Sequence, residues 1–246
     1  MSTVSVSTLG ARNWPSLVLI SAIGALLLIT TILIFLVAKI SDPSVLPINK
    51  VDISGNLQHL EKSSIEKIVS SSLGERGFFR IDVVEIQTML TKQPWVHRVV
   101  VRRVWKDTLS IRIVEQIPVA KWGEESFLNK DGQIFTPDDP KITLELVQLN
   151  GPKGLENVML EHYTIMVNKL STIPIGVAEV ILTDRGAWRL ITTDGKELIF
   201  GKQFLAQRLD RFLHGYSSGL STRWNSVKRV DLRYSNGFAI ASDTFL

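Results

Sequence analysis

The longest apolar stretch of the chain runs from Leu17 to Ala38. It carries no charged residue and consists mainly of Leu, Ile, Val and Ala. As an α-helix this stretch spans about 33 Å, which is enough to cross the hydrocarbon core of a bilayer. A cleaved signal peptide would have a shorter apolar region that ends in small residues, whereas the bulky Phe35–Val37 stand at the end of this run. The pattern therefore predicts a retained transmembrane helix at residues 17–38.

The segments on either side of the span set its expected orientation. The amino-terminal tail, residues 1–16, contains Arg12 and no acidic residue, and Trp14 lies near its membrane end. Basic residues favour the cytoplasmic side, but Lys39 lies just past the span, so the charge asymmetry is small. The shortness of the tail before the span still favours the tail inside and the rest of the chain outside, with Trp14 at the inner interface. Residues 39–47 contain two prolines, which discourage a continuing helix and predict a juxtamembrane linker.

After the linker, the hydrophobic pattern predicts a compact β-α-α-β-β unit at residues 48–116. Its expected elements are a strand at 48–53, helices that begin at Ser63 or Ser64 and at Asp82, and strands at 95–105 and 108–115. Asp82 and Glu85 have the spacing of a capping box. The last strand alternates strictly, and we expect Leu109, Ile111 and Ile113 to face inward.

Short strands with turn signals follow, and they predict a second, mixed domain at residues 117–246. The strand candidates are 119–122, 127, 133–135, 143–149, 177–183, 188–193, 197–200, 227–234 and 238–241, and the helix candidates are 155–170 and 203–214. Asp194-Gly195 and Asn236-Gly237 are favourable turns between neighbouring strands. The predicted fold class is α+β, with one transmembrane helix, a β-α-α-β-β domain and a carboxy-terminal mixed β domain with helices.

Composition excludes several kinds of site. The chain has no cysteine, so disulfides and thiolate metal sites are absent. Its four histidines are far apart in sequence, and no phosphate loop, nucleophile elbow or dinucleotide motif is present. Asp138-Asp139 lies between two prolines, which indicates an acidic loop. We therefore expect no enzymatic activity, no cofactor and no metal.

The basic residues give no nucleic-acid signature. The net charge is only +4, and the densest basic stretch, Arg98 to Lys106, has no accompanying stacking motif. On a strand, Arg98 and Arg102 share one face and Arg103 points to the other, which favours a solvated face or a protein contact surface. The tryptophans Trp95, Trp105 and Trp122 are expected to pack in the core or against the sheets.

Several segments resemble one protein family in both order and spacing. They are Pro94–Val96, Val104–Leu109, Glu115–Trp122, Gly186–Trp188, Leu198–Gly201, and Val230–Tyr234 followed by Gly237. The β-α-α-β-β unit resembles a POTRA domain, and the whole chain, its short tail included, resembles the FtsQ (DivIB) family. This resemblance implies a POTRA domain next to the membrane and an FtsQ-type β domain beyond it.

The function that this resemblance implies is that of a non-catalytic cell-division scaffold. Such a scaffold is a single-pass type II protein of the bacterial inner membrane, concentrated at the septum, that links early and late division proteins. The resemblance implies binding of FtsB and, through it, FtsL. It also implies contacts with FtsK, FtsW, FtsI and FtsN, by which septal peptidoglycan synthesis is controlled.

The resemblance also implies a binding site, because the family adds a partner strand to the last strand of its β domain. The implied partner-binding residues are Arg185, Tyr234, Gly237, Phe238 and Ile240, and a possible recruitment surface on the POTRA domain is formed by Arg98, Arg102 and Arg103. Simpler interpretations stay open: Phe238 or Ile240 packs into the core, Tyr234 is an ordinary packed residue, and Arg185 is solvated. The family often has an aromatic residue after the last strand, and Phe245 is the candidate for that position.

Two other classes of function compete with the scaffold. A POTRA domain can receive client chains in outer-membrane assembly or secretion, but such proteins usually carry several copies or a barrel. A membrane-anchored cell-wall hydrolase would need a carboxylate pair or a metal constellation in the second domain, and the sequence offers no such pattern.

Overall fold

The computed structural model describes residues 14–40, 47–73, 78–139 and 144–242. By its contacts the chain divides into two compact units. The first comprises Met1–Gly55, Glu61–Leu90 and Val99–Ile113, and the second comprises Asn56–Leu60, Thr91–Arg98 and Val114–Leu246. The predicted tail up to residue 13, the linker at 41–46 and Phe245 lie outside the described residues.

The predicted transmembrane segment is a continuous helix, α1 (Trp14–Ile40). Within the described part of the chain, it is the one helix that is long and apolar enough to cross a membrane. It begins before the apolar run because Pro15 occupies its first turn, where a missing N–H costs nothing.

The β-α-α-β-β pattern is confirmed. The elements are β1 (Lys50–Ser54), α2 (Lys62–Leu73), α3 (Val83–Thr91), β2 (Val96–Val104) and β3 (Thr108–Glu115), and the sheet order is β1-β3-β2. The central strand β3 buries Leu109, Ile111 and Ile113, as its alternation predicts. Asp82 caps α3, since its Oδ1 accepts the N–H groups of Val84 at 2.8 Å and Glu85 at 3.1 Å.

The second unit is built on a nine-stranded sheet. Its elements are β4 (Pro118–Trp122), β5 (Ser126–Asn129), β6 (Ile134–Phe135), β7 (Gln148–Asn150), α4 (Glu156–Leu170), β8 (Val177–Leu182), β9 (Trp188–Thr192), β10 (Glu197–Gly201), α5 (Leu205–Ser217), a 3₁₀ helix (Leu220–Ser226), β11 (Val227–Asp231) and β12 (Ala239–Ser242). The strand order is β12-β11-β10-β9-β8-β7-β4-β5-β6. Helices α4 and α5 each connect two parallel strands, and they pack together over one face of the sheet.

The end of the chain differs from its sequence-based prediction. Strand β11 ends at Asp231 and not at Tyr234, and β12 begins at Ala239. Residues 232–238 form a longer connection where Asn236-Gly237 alone predicted a tight hairpin. The reason is tertiary: arginines of α5 bind the carbonyl groups of this connection, which draws its backbone out of the sheet.

The tryptophans divide into two groups. Trp95 is buried and Trp122 packs against the main core of the second unit, as expected. The prediction that Trp105 is also packed is wrong, because its side chain is 69% exposed. Trp105 follows the last residue of β2, at a turn where neither sheet nor helix covers the ring.

Candidate partner-binding site

Strand β12 forms an open edge of the nine-stranded sheet. It pairs with β11 on one side, and no described strand pairs with its other side. Ala239 and Ala241 are exposed, and Ile240 is 45% exposed. An edge strand presents unpaired N–H and C=O groups, to which an extended chain can add. The geometry therefore offers a site for strand addition.

Two arginines of α5 hold the connection that leads into this edge. Arg211 donates through Nη1 to the carbonyl oxygens of Tyr234 and of Gly237, the latter at 3.1 Å. Arg208 donates through Nη2 to the carbonyl oxygen of Arg233 at 3.1 Å. Hydrogen bonds from a charged donor are stronger than neutral ones, so α5 holds this connection firmly.

Phe238, the residue directly before β12, anchors the start of this strand on the protein. Its ring packs against the core of the second unit and lies over Gly215 of α5, where a Cβ would come within 2.5 Å of the ring Cε1. Ile240 pairs with the buried Val230 across the strands, and so lies on the same face of the sheet. Phe238 and Ile240 thus point to the same side, but α5 covers the Phe238 ring, whereas Ile240 and the 59% exposed Tyr234 remain accessible.

Asp231 closes the other end of the connection. Its Oδ1 accepts the backbone N–H of Arg233 at 3.1 Å, and its carboxylate pairs with the Arg233 guanidinium at 2.6 Å. The hydrogen bonds from Arg233 hold the pKa of Asp231 below its usual value, although burial opposes this. The turn after β11 is therefore stabilised by a carboxylate that stays ionised.

Arg185 lies at the same end of the sheet but not on its edge. It is exposed in the turn between β8 and β9, where Gly186 has φ +78°. Trp188 pairs with both Leu182 and Gly201, which brings this turn to the end of the sheet where β11 finishes. β9, β10, β11 and β12 are successive neighbours, and three strand spacings amount to about 14 Å.

The three arginines of β2 do not form one cluster. Arg98 and Arg102 are exposed on one face of the strand. Arg103 points to the other face, where Nη1 donates to the carbonyl oxygens of Phe78 at 3.4 Å and Phe79 at 3.2 Å. All three arginines are exposed, but Arg103 has a local structural role, whereas Arg98 and Arg102 share the opposite face of the strand.

Sequence reasoning missed the residues of α5 that build the site. Arg208, Arg211 and Gly215 follow one another at spacings of three and four, so they form one stripe on the helix. That spacing is a signal in the sequence, but nothing in it indicates which carbonyl groups or which ring the stripe meets. Among the described residues, no group of three or more His, Asp or Glu side chains could hold a metal ion.

Comparison with known proteins connects this architecture to one family. Residues 46–116 match the model of the FtsQ-type POTRA domain, and residues 120–233 match that of the carboxy-terminal region of cell division protein FtsQ/DivIB. The cell division protein FtsQ of Coxiella burnetii is 34% identical over 93% of this chain and 94% of its own length. The FtsQ proteins of Methylomonas methanica and Vibrio cholerae are 32% and 28% identical over 79% and 87% of this chain, and 78% and 82% of their own lengths. With an apolar helix at its amino-terminal end, this chain belongs to the FtsQ family of membrane-anchored cell-division proteins.

Proposed function

We propose that this protein is a non-catalytic division scaffold that binds FtsB by strand addition to β12 and holds FtsL through FtsB. It lies in the bacterial inner membrane with the tail in the cytoplasm and the two domains that follow α1 in the periplasm, and it concentrates at the septum. There it links early division proteins such as FtsK to the late proteins FtsW, FtsI and FtsN. Its binding state thereby contributes to the control of septal peptidoglycan synthesis.

The observation that carries this proposal is the open edge of β12. Its backbone groups on the outer side are available for pairing, and Ala239, Ile240 and Ala241 present small or apolar side chains. Arg211 and Phe238 fix the entry to the strand. A preorganised edge lowers the ordering cost of binding an extended partner.

The other sheet edges are less suitable for an added strand. β6 has two residues, which is too short a template for stable pairing. The edges of the first sheet are longer but charged: β1 carries Lys50 and Asp52, and β2 carries Arg98, Arg102 and Arg103. Charged side chains on an edge oppose unspecific pairing. β12 is the described edge whose composition permits a partner.

The surroundings of β12 indicate how the partner continues. Tyr234 is an exposed aromatic residue beside the strand, of the kind enriched at interface hot spots. Arg185 lies farther along the same end of the sheet. A partner that follows its added strand with an acidic segment would therefore reach Arg185 after contacting Tyr234 and Gly237.

The POTRA domain has a separate role in this proposal. Arg98 and Arg102 are exposed on β2 and form a basic surface suited to acidic segments of other division proteins. We assign recruitment to these two residues, whereas Arg103 binds the backbone of Phe78 and Phe79 on the other face of the strand. Substituting Arg98 and Arg102 together by Ser is expected to reduce septal localisation without reducing FtsB binding, as measured by a fluorescent fusion and by copurification.

The test of strand addition uses proline at successive positions of the full-length chain. Proline removes one N–H, and N–H groups of successive residues point to opposite sides of a strand. We expect Ile240→Pro and Ala241→Pro both to lose copurification of FtsB–FtsL. The variant that removes an outward N–H is expected to keep the unfolding free energy of the native chain. The variant that removes an inward N–H breaks pairing with β11 and is expected to have a lower unfolding free energy.

Ile134→Pro on β6, at the opposite edge, is the matched control and is expected to retain FtsB–FtsL. The same variants are expressed in cells depleted of the native protein, and cell length is scored. Filaments with the edge variant that keeps the native unfolding free energy, together with normal cells with Ile134→Pro, support the proposal. Full rescue by both edge variants would exclude strand addition at β12, and normal division after depletion would exclude the division role itself.

A further inference from the structure

An exposed aromatic cluster lies at one end of the β-α-α-β-β unit, and no function described above uses it. The cluster consists of Phe78, Phe79 and Trp105, and is called the aromatic corner. The Trp105 ring meets Phe78 edge-on at 5.8 Å between centroids and lies 6.5 Å from Phe79. Phe78 is buried beneath the other two, whereas Phe79 and Trp105 are 47% and 69% exposed.

The aromatic corner is held in place by the backbone. Arg103 of β2 donates to the carbonyl oxygens of Phe78 and Phe79, so the turn at residues 78–80 is tied to the end of the strand that leads to Trp105. The edge-on ring contacts add a preferred geometry. The exposure of Phe79 and Trp105 is therefore a fixed feature of the unit, and two adjoining exposed aromatic rings form an apolar patch that calls for an explanation.

The corner lies where the chain enters this unit from the membrane-spanning helix. The turn that begins with Trp105 includes Asp107, whose carbonyl oxygen accepts the N–H groups of Asn49 at 3.0 Å and Lys50 at 3.3 Å. Helix α1 ends at Ile40, and the nine residues from there to Asn49 reach at most about 32 Å. The corner is consequently tethered within a short distance of the bilayer surface.

The charges around the corner fit a phospholipid surface. Arg80 and Lys106 directly follow Phe79 and Trp105 in the sequence, and both are exposed, as is Lys50 at the start of β1. The carboxylate of Asp107 is engaged by Asn49 at 3.5 Å and by Thr108 at 3.1 Å. Tryptophan and phenylalanine beside basic residues are the side chains that favour the headgroup region of a membrane that contains anionic lipid.

We propose that the aromatic corner docks on the headgroup region of the membrane that contains α1, with Trp105 and Phe79 entering the interface and Arg80, Lys106 and Lys50 contacting anionic phospholipid. The contact orients the β-α-α-β-β unit on the membrane. Because α1 already holds the chain at the bilayer, the corner needs little intrinsic affinity: the tether supplies a high effective concentration of lipid.

The test uses the absence of cysteine in the chain, which permits a single reporter thiol. Full-length Val104→Cys, next to Trp105, is labelled with an environment-sensitive fluorophore and reconstituted in vesicles that contain headgroup-nitroxide lipid. Vesicles of phosphatidylcholine alone are compared with vesicles that also contain phosphatidylglycerol. Arg112→Cys, which lies on β3 opposite Ser54 and away from the turn, is the control reporter.

We expect the nitroxide to quench the reporter at position 104 and not that at position 112. Quenching is expected to be stronger with phosphatidylglycerol, to weaken with salt, and to fall by at least half in Trp105→Ser and in Phe79→Ser. Trp105→Phe is expected to retain most of it. Since Trp105 is largely exposed, its substitution should not change the midpoint of the unfolding transition, which is measured by circular dichroism.

Equal quenching at positions 104 and 112, or quenching that Trp105→Ser leaves unchanged, overturns the proposal. If quenching at position 104 is absent and the fluorophore shifts to shorter wavelength only when FtsB–FtsL is added, the corner is a protein contact and the membrane assignment is wrong. The quenching result does not depend on strand addition at β12, because it is measured before FtsB–FtsL is added.

Discussion

The Phe238 ring occupies the space that a side chain at Gly215 would need. A Cβ at position 215 would lie 2.5 Å from the ring Cε1, so the glycine in α5 and the phenylalanine before β12 form one fitted contact. This contact joins the helix layer to the edge strand, and it links the packing of α5 to the availability of β12.

Gly215→Ala tests that link. Alanine in a helix interior favours folding by about 1 kcal/mol over glycine, but here it displaces the Phe238 ring. We expect the unfolding free energy, measured by urea denaturation, to change by less than about 1 kcal/mol, while affinity for FtsB falls clearly. In a Phe238→Ala background, Gly215→Ala is expected to raise the unfolding free energy by the full amount of about 1 kcal/mol. An equal change of the unfolding free energy in the two backgrounds would contradict the contact.

Arg211 is expected to control the order of the connection between β11 and β12. Replacing it with Met keeps the aliphatic stem and removes the donors to the carbonyl oxygens of Tyr234 and Gly237, at a cost of about 1–3 kcal/mol. Amide hydrogen exchange at residues 234–241 should accelerate, and FtsB affinity should fall. The exposed Arg223 provides the control Arg223→Met, which should change neither the amide exchange nor the affinity for FtsB. Unchanged amide exchange in Arg211→Met would show that Arg211 does not order the connection.

Glu115 is expected to be a major stabilising residue of the second unit. Its carboxylate is nearly buried and accepts the backbone N–H groups of Gln58 at 2.9 Å, His59 at 3.1 Å and Leu60 at 2.8 Å. Glu115→Ala leaves these donors without an acceptor and should lower the unfolding free energy by about 3 kcal/mol. Glu115→Gln should lose less, and the exposed Glu145→Ala should be neutral; a neutral Glu115→Ala would disprove this assignment.

Asp231 gives the folded state a defined pH dependence. Because hydrogen bonds from Arg233 lower its pKa, ionised Asp231 contributes stability that is complete above the unfolded-state pKa, near pH 4. That contribution is lost as pH falls through the lower folded-state pKa. Urea denaturation from neutral to acidic pH should therefore show a smaller acid loss for Asp231→Asn than for the native chain. The exposed Asp184→Asn should follow the native curve, and coincident curves for all three would contradict the prediction.

Arg185 is expected to act on association and not on folding. Its side chain is exposed in a turn, so Arg185→Glu should leave the unfolding free energy within about 0.5 kcal/mol of the native value. If an acidic segment of FtsB approaches this end of the sheet, charge reversal should slow association, most strongly at low salt. Stopped-flow or surface binding kinetics measure this, with Arg223→Glu as a control of equal charge change; identical kinetics for both variants would place the acidic segment elsewhere.

Local patterns in the sequence determined a large part of this protein. The uncharged run at 17–38 predicted α1 because only a helix satisfies its backbone in hydrocarbon. The alternation of Leu109, Ile111 and Ile113 predicted the central strand of the first sheet, and Asp82 predicted the start of α3. The α+β fold and the FtsQ family could both be predicted from the sequence, since each rests on periodicities and motifs that are local in the chain.

Only the tertiary structure decided how the candidate site is built. The sequence indicated Phe238 and Ile240 together, but the fold turns Phe238 onto Gly215 and leaves Ile240 at the edge. It also ended β11 at Asp231, because Arg208 and Arg211 bind carbonyl groups more than twenty residues away. Trp105 was expected inside and lies outside, since its exposure depends on where β2 ends relative to the neighbouring elements. Such outcomes depend on contacts between distant segments, which periodicity and local propensity do not specify.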